Sequence, residues 1–432
     1  MKKVASYALG CKVNQYESES IAELFSEKGY EIVDIDEVAD IYIINTCTVT
    51  NLGDKKSRQL IRKVKRQNPD SIVAAIGCYA QTASKEIGEI EGVNLVIGTN
   101  GRKEIVELVE NYNKDMGVVS TVQDIAKQNL FEPLSIKKLH GRTRAYIKIQ
   151  DGCSMYCTYC IIPYARGPVR SRNIEDIINE VKTLAENGFR EIVLTGIHVA
   201  SYGKDLKGIS LLDVIKKVHE IDGIDRIRMS SLEPNLISED FVREISKLPK
   251  VCDHFHLSLQ SGSNKTLKAM NRKYDTAKFR NAAEILRKYY EDVALTTDVI
   301  VGFPGESDED FIESYEFVKE IGFSKVHVFP YSPKKGTVAA VMNGQISNSV
   351  KKKRAGMLID LSNALSETFI SKFIGKNKSV LFEQSIGDDR YDGHTTNYIH
   401  VISESKEDIK NQIIDTEILS FEDENATGML MV

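Results

Sequence analysis

The chain has 432 residues, of which 42% are hydrophobic and 28% are charged, and its net charge is −5. This composition is ordinary for a globular protein of two or three domains, and it excludes an overall electrostatic field that would attract nucleic acid. No apolar run approaches the about 20 residues of a membrane-spanning helix. The seven cysteines, scattered through a chain without a signal-peptide pattern, predict metal ligation in a reducing, cytoplasmic compartment rather than a disulfide framework.

Residues 1–130 alternate apolar strands with helices. The strand segments are KVASYALG, ADIYIINTC, SIVAAIGC and NLVIGT, and the helical ones are QYESESIAELFSEKG, DKKSRQLIRKVKRQ and GRKEIVELVENY. This alternation predicts an α/β domain with a doubly wound parallel sheet. Cys11, Cys47 and Cys78 each fall at the carboxyl end of a strand, where the ligand crevice of such a sheet lies. We expect the three to converge, although any one of them alone is equally a buried structural side chain.

Residues 131–141 lack periodicity and predict a linker. Six strand segments follow, separated by helical patterns: RAYIKIQDG, EIVLTGIHV, RIRMSSLEP, HFHLSLQSG, ALTTDVIVGFPGE and KVHVFPYSP. They predict a partial (β/α)6 barrel with functional residues at its carboxyl face, and with a trailing helix this domain spans residues 142–370. The basic run 351–354 of that helix is interpreted as a solvated face. Residues 371–432 form short alternating segments between turns and predict a small β-barrel.

Cys153, Cys157 and Cys160 form a C-x3-C-x2-C triplet in the loop after the first barrel strand. Three thiolates at this spacing can hold three irons of a [4Fe-4S] cluster and leave one iron open, as catalytic zinc keeps an open position. S-adenosylmethionine (SAM), with its amino and carboxylate groups, fits an open iron. The alternatives are a zinc knuckle or a disulfide pair, but no fourth ligand nearby completes a tetrahedral site. Cys252 is predicted to be a small buried side chain.

These motifs, taken in order, resemble the radical SAM methylthiotransferase family along essentially the whole chain. The triplet followed by IIPYARGPVRSR is similar to the radical SAM core of that family. GCKVNQYESE with Cys11 and Asn14, INTCTVT with Cys47 and IGCYAQ with Cys78 resemble its N-terminal cluster motifs. SSLEP, SLQSGS, VIVGFPGE and FPYSP resemble its barrel strand ends, and DGHTTNYIHV resembles its C-terminal TRAM domain.

The resemblance implies a tRNA modification enzyme with two [4Fe-4S] clusters, one on each cysteine triplet, that uses two SAM molecules per turnover. One SAM would yield a 5′-deoxyadenosyl radical, and the other would methylate a sulfur species on the N-terminal cluster. A radical is needed because C2–H of adenine is neither acidic nor a leaving group, and this hard step is cofactor chemistry.

GCKVNQYES most resembles the branch that adds a methylthio group to C2 of N6-threonylcarbamoyladenosine at position 37 of tRNA. Two other branches stay open as alternatives. One modifies N6-isopentenyladenosine and usually differs just after the first cysteine, and the other modifies an aspartate of a ribosomal protein. A non-catalytic iron–sulfur sensor that binds RNA is the alternative from a different class, but a sensor needs only one cluster.

The resemblance also places SAM across the carboxyl face of the barrel, with plain barrel packing as the alternative role for each expected contact. The expected SAM contacts are Thr195, Gly196, Ile197, Glu233, Gln260, Ser261, Ile300, Val301 and Gly302. The implied partners are the tRNA anticodon stem-loop, an electron donor such as flavodoxin or ferredoxin, and a sulfur source. No membrane partner is expected, and the chain is expected to be a monomer.

Contacts to RNA are expected where basic or aromatic side chains cluster. The candidates near the cluster loop and in the C-terminal barrel are Arg166, Arg170, Arg172, Lys376, Lys378, Tyr391, His394, Asn397 and Tyr398. The acidic balance of residues 375–432, with 12 Asp and Glu against 5 Lys and Arg, restricts such contacts to a local face. The basic helix of residues 54–67 is either a further phosphate-binding surface or a solvated outer face.

Overall fold

The computed structural model describes residues 1–137, 143–422 and 425–431. The first part of the chain alternates strands and helices. These elements are β1 (Lys3–Ala8), α1 (Lys12–Glu27), β2 (Glu31–Val33), β3 (Ile41–Thr46), α2 (Asn51–Gln67), β4 (Ile72–Gly77), α3 (Cys78–Thr82), α4 (Ser84–Gly88), β5 (Leu95–Ile97), α5 (Ile105–Glu110) and β6 (Val119–Ser120). The six strands pair in parallel in the order β2-β1-β3-β4-β5-β6.

Both faces of this sheet are covered, as the sequence predicts. All six residues of β3 are buried, and they alternate between the faces. Ile43 belongs to the apolar cluster that contains Phe25 of α1, whereas Tyr42 belongs to the cluster that contains Ile61 of α2. The strand order reverses between β1 and β3, so the ligand crevice of the sheet is expected outside the carboxyl ends of these strands.

The central part of the chain supplies a second set of strands and helices. They are β7 (Arg144–Asp151), α6 (Ile162–Arg166), β8 (Arg170–Ser171), α7 (Ile174–Glu186), β9 (Glu191–Gly196), α8 (Leu211–His219), β10 (Arg226–Met229), α9 (Glu239–Ile245), β11 (His254–His256), α10 (Asn264–Ala269), α11 (Thr276–Tyr289), β12 (Ala294–Val301), α12 (Asp308–Ile321), β13 (Lys325–Pro330) and α13 (Asn348–Ser371).

Six of these strands form the predicted open (β/α)6 barrel. Parallel ladders join β7 to β9, β9 to β10, β11 to β12 and β12 to β13. The bridges Ile227↔Val251 and Leu232↔Leu257 connect the two halves between β10 and β11. The two-residue strand β8, which has no periodicity to reveal it in the sequence, pairs antiparallel with β7. One large apolar core fills most of this part of the molecule, and Met270, Phe303, Tyr331 and Ala339 form a smaller separate cluster.

The C-terminal part forms the predicted small β-barrel. Its strands are β14 (Asn377–Gly387), β15 (Arg390–Thr395), β16 (His400–Glu404), β17 (Ile413–Glu422) and β18 (Asn425–Leu430), closed in the order β14-β15-β16-β18-β17. Residues 138–141 of the predicted linker and residue 142, the predicted start of the barrel domain, lie outside the described residues, so the domain boundaries stay a prediction. Within the described residues, no helix has the length and apolar character to span a membrane. Cys252 is buried.

Candidate active site

The three N-terminal cysteines lie at the carboxyl ends of the neighbouring strands β1, β3 and β4. Cys11 caps α1, Cys47 follows β3 directly, and Cys78 is the first residue of α3. Gly10 has a φ of +99°, and a Cβ placed on it would lie 2.7 Å from the Sγ of Cys47. Only glycine allows this close approach. The three thiols therefore border one crevice at the point where the strand order reverses.

Asn14 and Arg166 brace this crevice. The Nδ2 of Asn14 donates to the carbonyls of Leu9 at 2.8 Å and Thr46 at 3.2 Å, which ties the turn of Cys11 to that of Cys47. Arg166 reaches in from the barrel, where it follows the second cysteine triplet. Its Nε donates to the Sγ of Cys78 at 3.2 Å, and its Nη2 donates to the Oδ1 of Asn14 at 2.7 Å. Arg166 is completely buried, so these bonds are shielded from water.

Arg166 belongs to a buried ionic network between the N-terminal sheet and the barrel. The acids are Glu17, Glu132 and Asp151, and the bases are Arg102, Lys148, Arg166 and Arg170. The Nζ of Lys148 lies 2.7 Å from Glu17 and 2.6 Å from Asp151. Three acids and four bases leave one positive charge over, which the sulfur of Cys78 would balance when it is deprotonated.

The same cations decide how the buried acids ionise. Burial alone would raise the pKa of Glu17, but the charges of its basic neighbours outweigh burial and hold that pKa well below the ordinary value. The pKa of Asp151 is lowered in the same way, against its burial, chiefly by Lys148 and Arg166. Sequence reasoning missed most of this network because its members are far apart in the chain. The signal available was charged residues within a buried strand, as with Lys148 in IKIQD.

The second triplet lies on the loop that follows β7, at the carboxyl face of the barrel. Gly152 opens this loop with a φ of +73°, and a Cβ on it would lie 1.8 Å from the carbonyl oxygen of Pro168. The N–H of Cys153 donates to Gly167 at 3.0 Å, and the N–H of Thr158 donates to Met270 at 3.1 Å. The loop is therefore held between its own returning limb and the end of α10.

An arginine contacts this triplet as well. The Nη1 of Arg272 donates to the Sγ of Cys157 at 3.1 Å, and its Nη2 donates to Glu233 at 3.1 Å. The other carboxylate oxygen of Glu233 lies 3.5 Å from the Nε2 of His198. Burial raises the pKa of a carboxyl in this position, but the nearby His198 ring and the charge of Arg272 together lower the pKa of Glu233. Glu233 is thus an ionised carboxylate that orients Arg272 towards the cysteine loop.

The chemistry of the donors fits iron–sulfur clusters. Each site offers three thiols, and in each a buried guanidinium donates to one sulfur, as partners around metal ligands do. Burial raises the pKa of Cys153 to about 11 and the pKa values of Cys78 and Cys160 to about 12, so their thiolates need a bound metal centre. Among the residues that the structure describes, no three His, Cys, Asp or Glu side chains are grouped to hold a single metal ion. Thiolates of a four-iron cluster bind separate irons and need not converge in that way.

The residues predicted to contact SAM all lie at or just after the carboxyl ends of barrel strands: Thr195, Gly196, Ile197, Glu233, Gln260, Ser261, Ile300, Val301 and Gly302. Two of the glycines also have packing roles. A Cβ on Gly196 would lie 2.9 Å from the Oε1 of Gln150, and one on Gly302 would lie 2.4 Å from the Cγ of Lys351. Gln260 has an unusual positive φ of 68°, and its carbonyl accepts from Ile300 at 2.8 Å. Their contacts with SAM stay a prediction.

The structure contradicts the predicted phosphate contacts of Arg166, Arg170 and Arg172. These arginines are only 0%, 2% and 5% exposed. Arg166 and Arg170 belong to the buried network, and Arg172 pairs with Glu180. Arginine near an active site suggested RNA binding from the sequence, but these guanidinium groups are turned inward, and they hold the two domains together.

The predicted RNA-binding face of the C-terminal barrel is also corrected in part. His394, Asn397 and Tyr398 lie around the turn between β15 and β16, which packs against the amino end of the central barrel. The Tyr398 ring stacks on His254 and His394 at 4.6 and 4.5 Å. Arg228 lies 4.8 Å from its centroid.

The other candidates on this face differ in how accessible they are. Lys378 is ion-paired with Asp292. Lys376 is exposed and Tyr391 is half-buried, so these two remain accessible to RNA.

Known protein families match both halves of this arrangement. The Radical SAM superfamily matches residues 147–318, and the family described as Uncharacterized protein family UPF0004 matches residues 3–98. The solved structure of the radical S-adenosylmethionine methyltransferase TsrM from Kitasatospora setae, with cobalamin and a [4Fe-4S] cluster bound, aligns with a TM-score of 0.58 at 14% identity. The alignment covers 79% of this chain and 77% of that one. This likeness concerns the fold alone.

Curated relatives extend over nearly the whole chain. The Threonylcarbamoyladenosine tRNA methylthiotransferase MtaB of Bacillus subtilis (strain 168) is 42% identical over 97% of this chain and 94% of that protein. The protein of the same name from Aquifex aeolicus (strain VF5) is 39% identical over 88% and 92%. The tRNA-2-methylthio-N(6)-dimethylallyladenosine synthase of Methylacidiphilum infernorum (isolate V4) is 36% identical over 94% and 90%. With such identity across almost the full length of both partners, the chain belongs to the family of radical SAM methylthiotransferases.

Proposed function

We propose that this protein adds a methylthio group to C2 of N6-threonylcarbamoyladenosine at position 37 of tRNA. The observation that carries the proposal is the bond from Arg166, which follows one cysteine triplet, to Cys78 of the other. It supports two thiol-lined sites that face each other across a single interdomain cleft. The nucleoside is proposed from the relatives, since those at 42% and 39% identity carry threonylcarbamoyladenosine in their names.

Membership of the family brings a [4Fe-4S] cluster and SAM. We propose Cys153, Cys157 and Cys160 as the ligands of this cluster, and Cys11, Cys47 and Cys78 as the ligands of a second one. When bound, these groups supply the electron that cleaves SAM and the sulfur that is transferred. The protein's own part is to hold the thiols, to keep Arg166 and Arg272 on the sulfurs, and to exclude water from the N-terminal site by burying Arg166.

A tRNA also needs a surface that contacts its backbone. The outer face of α2 exposes Lys55, Lys56, Arg62 and Arg66. This helix begins just after Cys47, and its first residue, Asn51, donates to the carbonyl of Pro333 in the barrel at 3.0 Å. α2 therefore flanks the cleft, and its side chains suit contacts to the phosphates of the anticodon stem. An electron donor such as flavodoxin or ferredoxin, a sulfur source, a monomeric state and a cytoplasmic site of action complete the proposal.

The test is anaerobic reconstitution with SAM, a reductant and tRNA that carries threonylcarbamoyladenosine, followed by mass spectrometry of the nucleosides. A new methylthio nucleoside together with 5′-deoxyadenosine is the expected result. If 5′-deoxyadenosine forms while this tRNA stays unmodified, the substrate is wrong, and tRNA with isopentenyladenosine and the ribosomal protein are the next substrates to assay. If both clusters are intact and neither product forms, the proposed catalysis is wrong.

A further inference from the structure

A cavity of about 490 Å³ lies where the N-terminal domain, the central barrel and the C-terminal barrel meet. This volume is within the range of small-molecule sites. Five of the chain's eight histidines line it, which are His254, His256, His327, His394 and His400. Hydroxyl groups of Ser230, Ser231 and Thr296 are also in the lining. The cavity thus combines flat rings, on which a base can stack, with many hydrogen-bonding groups.

Asp298, which lies 3.3 Å from His256, brings a negative charge to the cavity, and Lys12 brings a positive one. Its ammonium lies 5.7 Å from the centroid of the Tyr146 ring, and among the described residues it forms no ion pair with a carboxylate. The other cations of the lining have partners in the protein. Arg144 lies 2.8 Å from Glu383, Arg228 lies 2.7 Å from Glu191, and Lys325 has an interaction of its own.

Three of the five histidines contribute hydrogen bonds rather than charge. Burial lowers the pKa values of His254, His327 and His394, which leaves these rings neutral at pH 7. His254 and His256 each share a hydrogen bond with the Oγ1 of Thr296 at 3.0 Å. An anion in this cavity would therefore find its counter-ion in Lys12.

Two residues of the lining are also close along the chain to residues of the cysteine sites. Lys12 follows Cys11 directly, so their Cα atoms are about 3.8 Å apart. On the other side, Ser231 lies in the same loop as Glu233, which orients Arg272 on Cys157. A base with its reacting carbon between the two cysteine sites would have the substituents of its far edge in reach of Lys12.

We propose that this cavity binds the N6 substituent of the substrate adenosine and that Lys12 pairs with the carboxylate of the threonylcarbamoyl group. The inference rests on the proposed function and names the residue that selects the substrate. An isopentenyl group has no charge and no hydrogen-bonding atom, and in this cavity it would leave Lys12 and the surrounding polar groups unpaired. The polar lining therefore favours the threonylcarbamoyl group over the isopentenyl group.

The test measures the binding and kcat/KM of the wild type and of Lys12→Gln with two anticodon stem-loop RNAs. One RNA carries threonylcarbamoyladenosine, and the other carries the same nucleoside with its carboxylate converted to an amide. Lys12→Gln is expected to weaken binding and to lower kcat/KM for the first RNA by roughly 10- to 100-fold, and for the amide RNA by less than about threefold. Lys12→Arg, which keeps the charge, is expected to keep the preference for the carboxylate.

Two controls separate this role from damage to the neighbouring cluster. The iron content and the EPR spectrum of Lys12→Gln should match those of the wild type, since Lys12 is not a proposed ligand. Lys182→Gln, a change at an exposed lysine on α7, should behave as wild type towards both RNAs.

Three results would overturn the inference. If the wild type modifies the threonylcarbamoyl RNA but Lys12→Gln weakens both RNAs equally, Lys12 does not read the carboxylate. If Lys12→Gln binds the threonylcarbamoyl RNA as tightly as the wild type does, Lys12 likewise does not recognise the carboxylate. If the wild type neither binds nor modifies the threonylcarbamoyl RNA in preference to unmodified RNA, the proposed function is wrong. The inference about Lys12 is then wrong as well, because it rests on that function.

Discussion

Replacing Arg166 by methionine removes a buried positive charge and two hydrogen bonds from the N-terminal cysteine site. The side chain keeps most of its length, but the Sγ of Cys78 and the Oδ1 of Asn14 lose their donors at 3.2 and 2.7 Å. Glu17 keeps Arg102 and Lys148 as partners, and Asp151 keeps Lys148 and Arg170. We therefore expect the variant to fold, with a free energy of unfolding that is lower by about 3 kcal/mol. This value is at the lower end of the range for breaking a buried ion pair.

The larger effect is expected on the reduction potential of the cluster that we propose for the N-terminal site. A unit charge about 4 Å away contributes about 4 kcal/mol at an effective dielectric constant of about 20, and a charge-assisted hydrogen bond alone contributes about 1.5 kcal/mol. With about 59 mV for each 1.4 kcal/mol in a one-electron couple, the potential should fall by roughly 60 to 170 mV. The sign is negative because a nearby cation favours the reduced, more negative cluster.

The assay is a potentiometric titration followed by EPR. Cys153, Cys157 and Cys160 are first replaced by alanine, so that only the N-terminal cluster contributes. Arg166→Met is then compared with Arg170→Gln, which alters the same ionic network without touching a cysteine. Equal potentials in Arg166→Met and its parent would refute the reasoning, and so would an equal shift in Arg170→Gln, since the effect would then come from the network and not from the bond to sulfur.

Three further outcomes are expected. Cys78→Ala should lose about four iron atoms per chain and all methylthiolation while it still forms 5′-deoxyadenosine, and full thiomethylation by this variant would contradict the ligand assignment. Tyr398→Ala should destabilise the docking of the C-terminal barrel by about 3 kcal/mol, seen in thermal unfolding. Glu17 has a pKa held well below its ordinary 4.5 in the fold, so its stabilisation is present above about pH 4.5 and is lost as the pH falls further. Glu17→Gln should therefore reduce the fall in the free energy of unfolding below about pH 4.5. An unchanged fall in the variant would show that Glu17 does not cause it.

Local sequence patterns predicted the architecture because they act over short distances. Continuous apolar strands at regular spacing gave the parallel sheet, the six barrel strands and the closed C-terminal barrel. The convergence of the three N-terminal cysteines could be predicted for the same reason. Each of these cysteines follows a strand, and a parallel sheet brings the carboxyl ends of its strands to one edge irrespective of the loop sequences. The two-residue strand β8 was invisible because it is too short for a period.

Burial of charged side chains could not be predicted in this way, because it depends on partners that are remote in the chain. Arg166 pairs with Glu17, which lies 149 residues earlier in the chain. No local sequence signal distinguishes this arginine from one that binds a phosphate group. The basic run of α13 is a milder case. Lys351 and Arg354 are three residues apart, face the same side and are buried, whereas Lys352 and Lys353 are solvated as predicted.

The two arginine–sulfur bonds also connect the central barrel to both cysteine triplets. Both arginines belong to the central barrel, one just after the cluster loop and one after α10. The N-terminal sheet brings its three thiols together, and among the described residues the side-chain donor to Cys78 is Arg166 of the barrel, so we expect the site to be complete only when the barrel is docked. The buried network with one positive charge left over stabilises this docked state most when Cys78 is a thiolate. We therefore expect occupancy of the N-terminal site and docking of the two domains to reinforce each other.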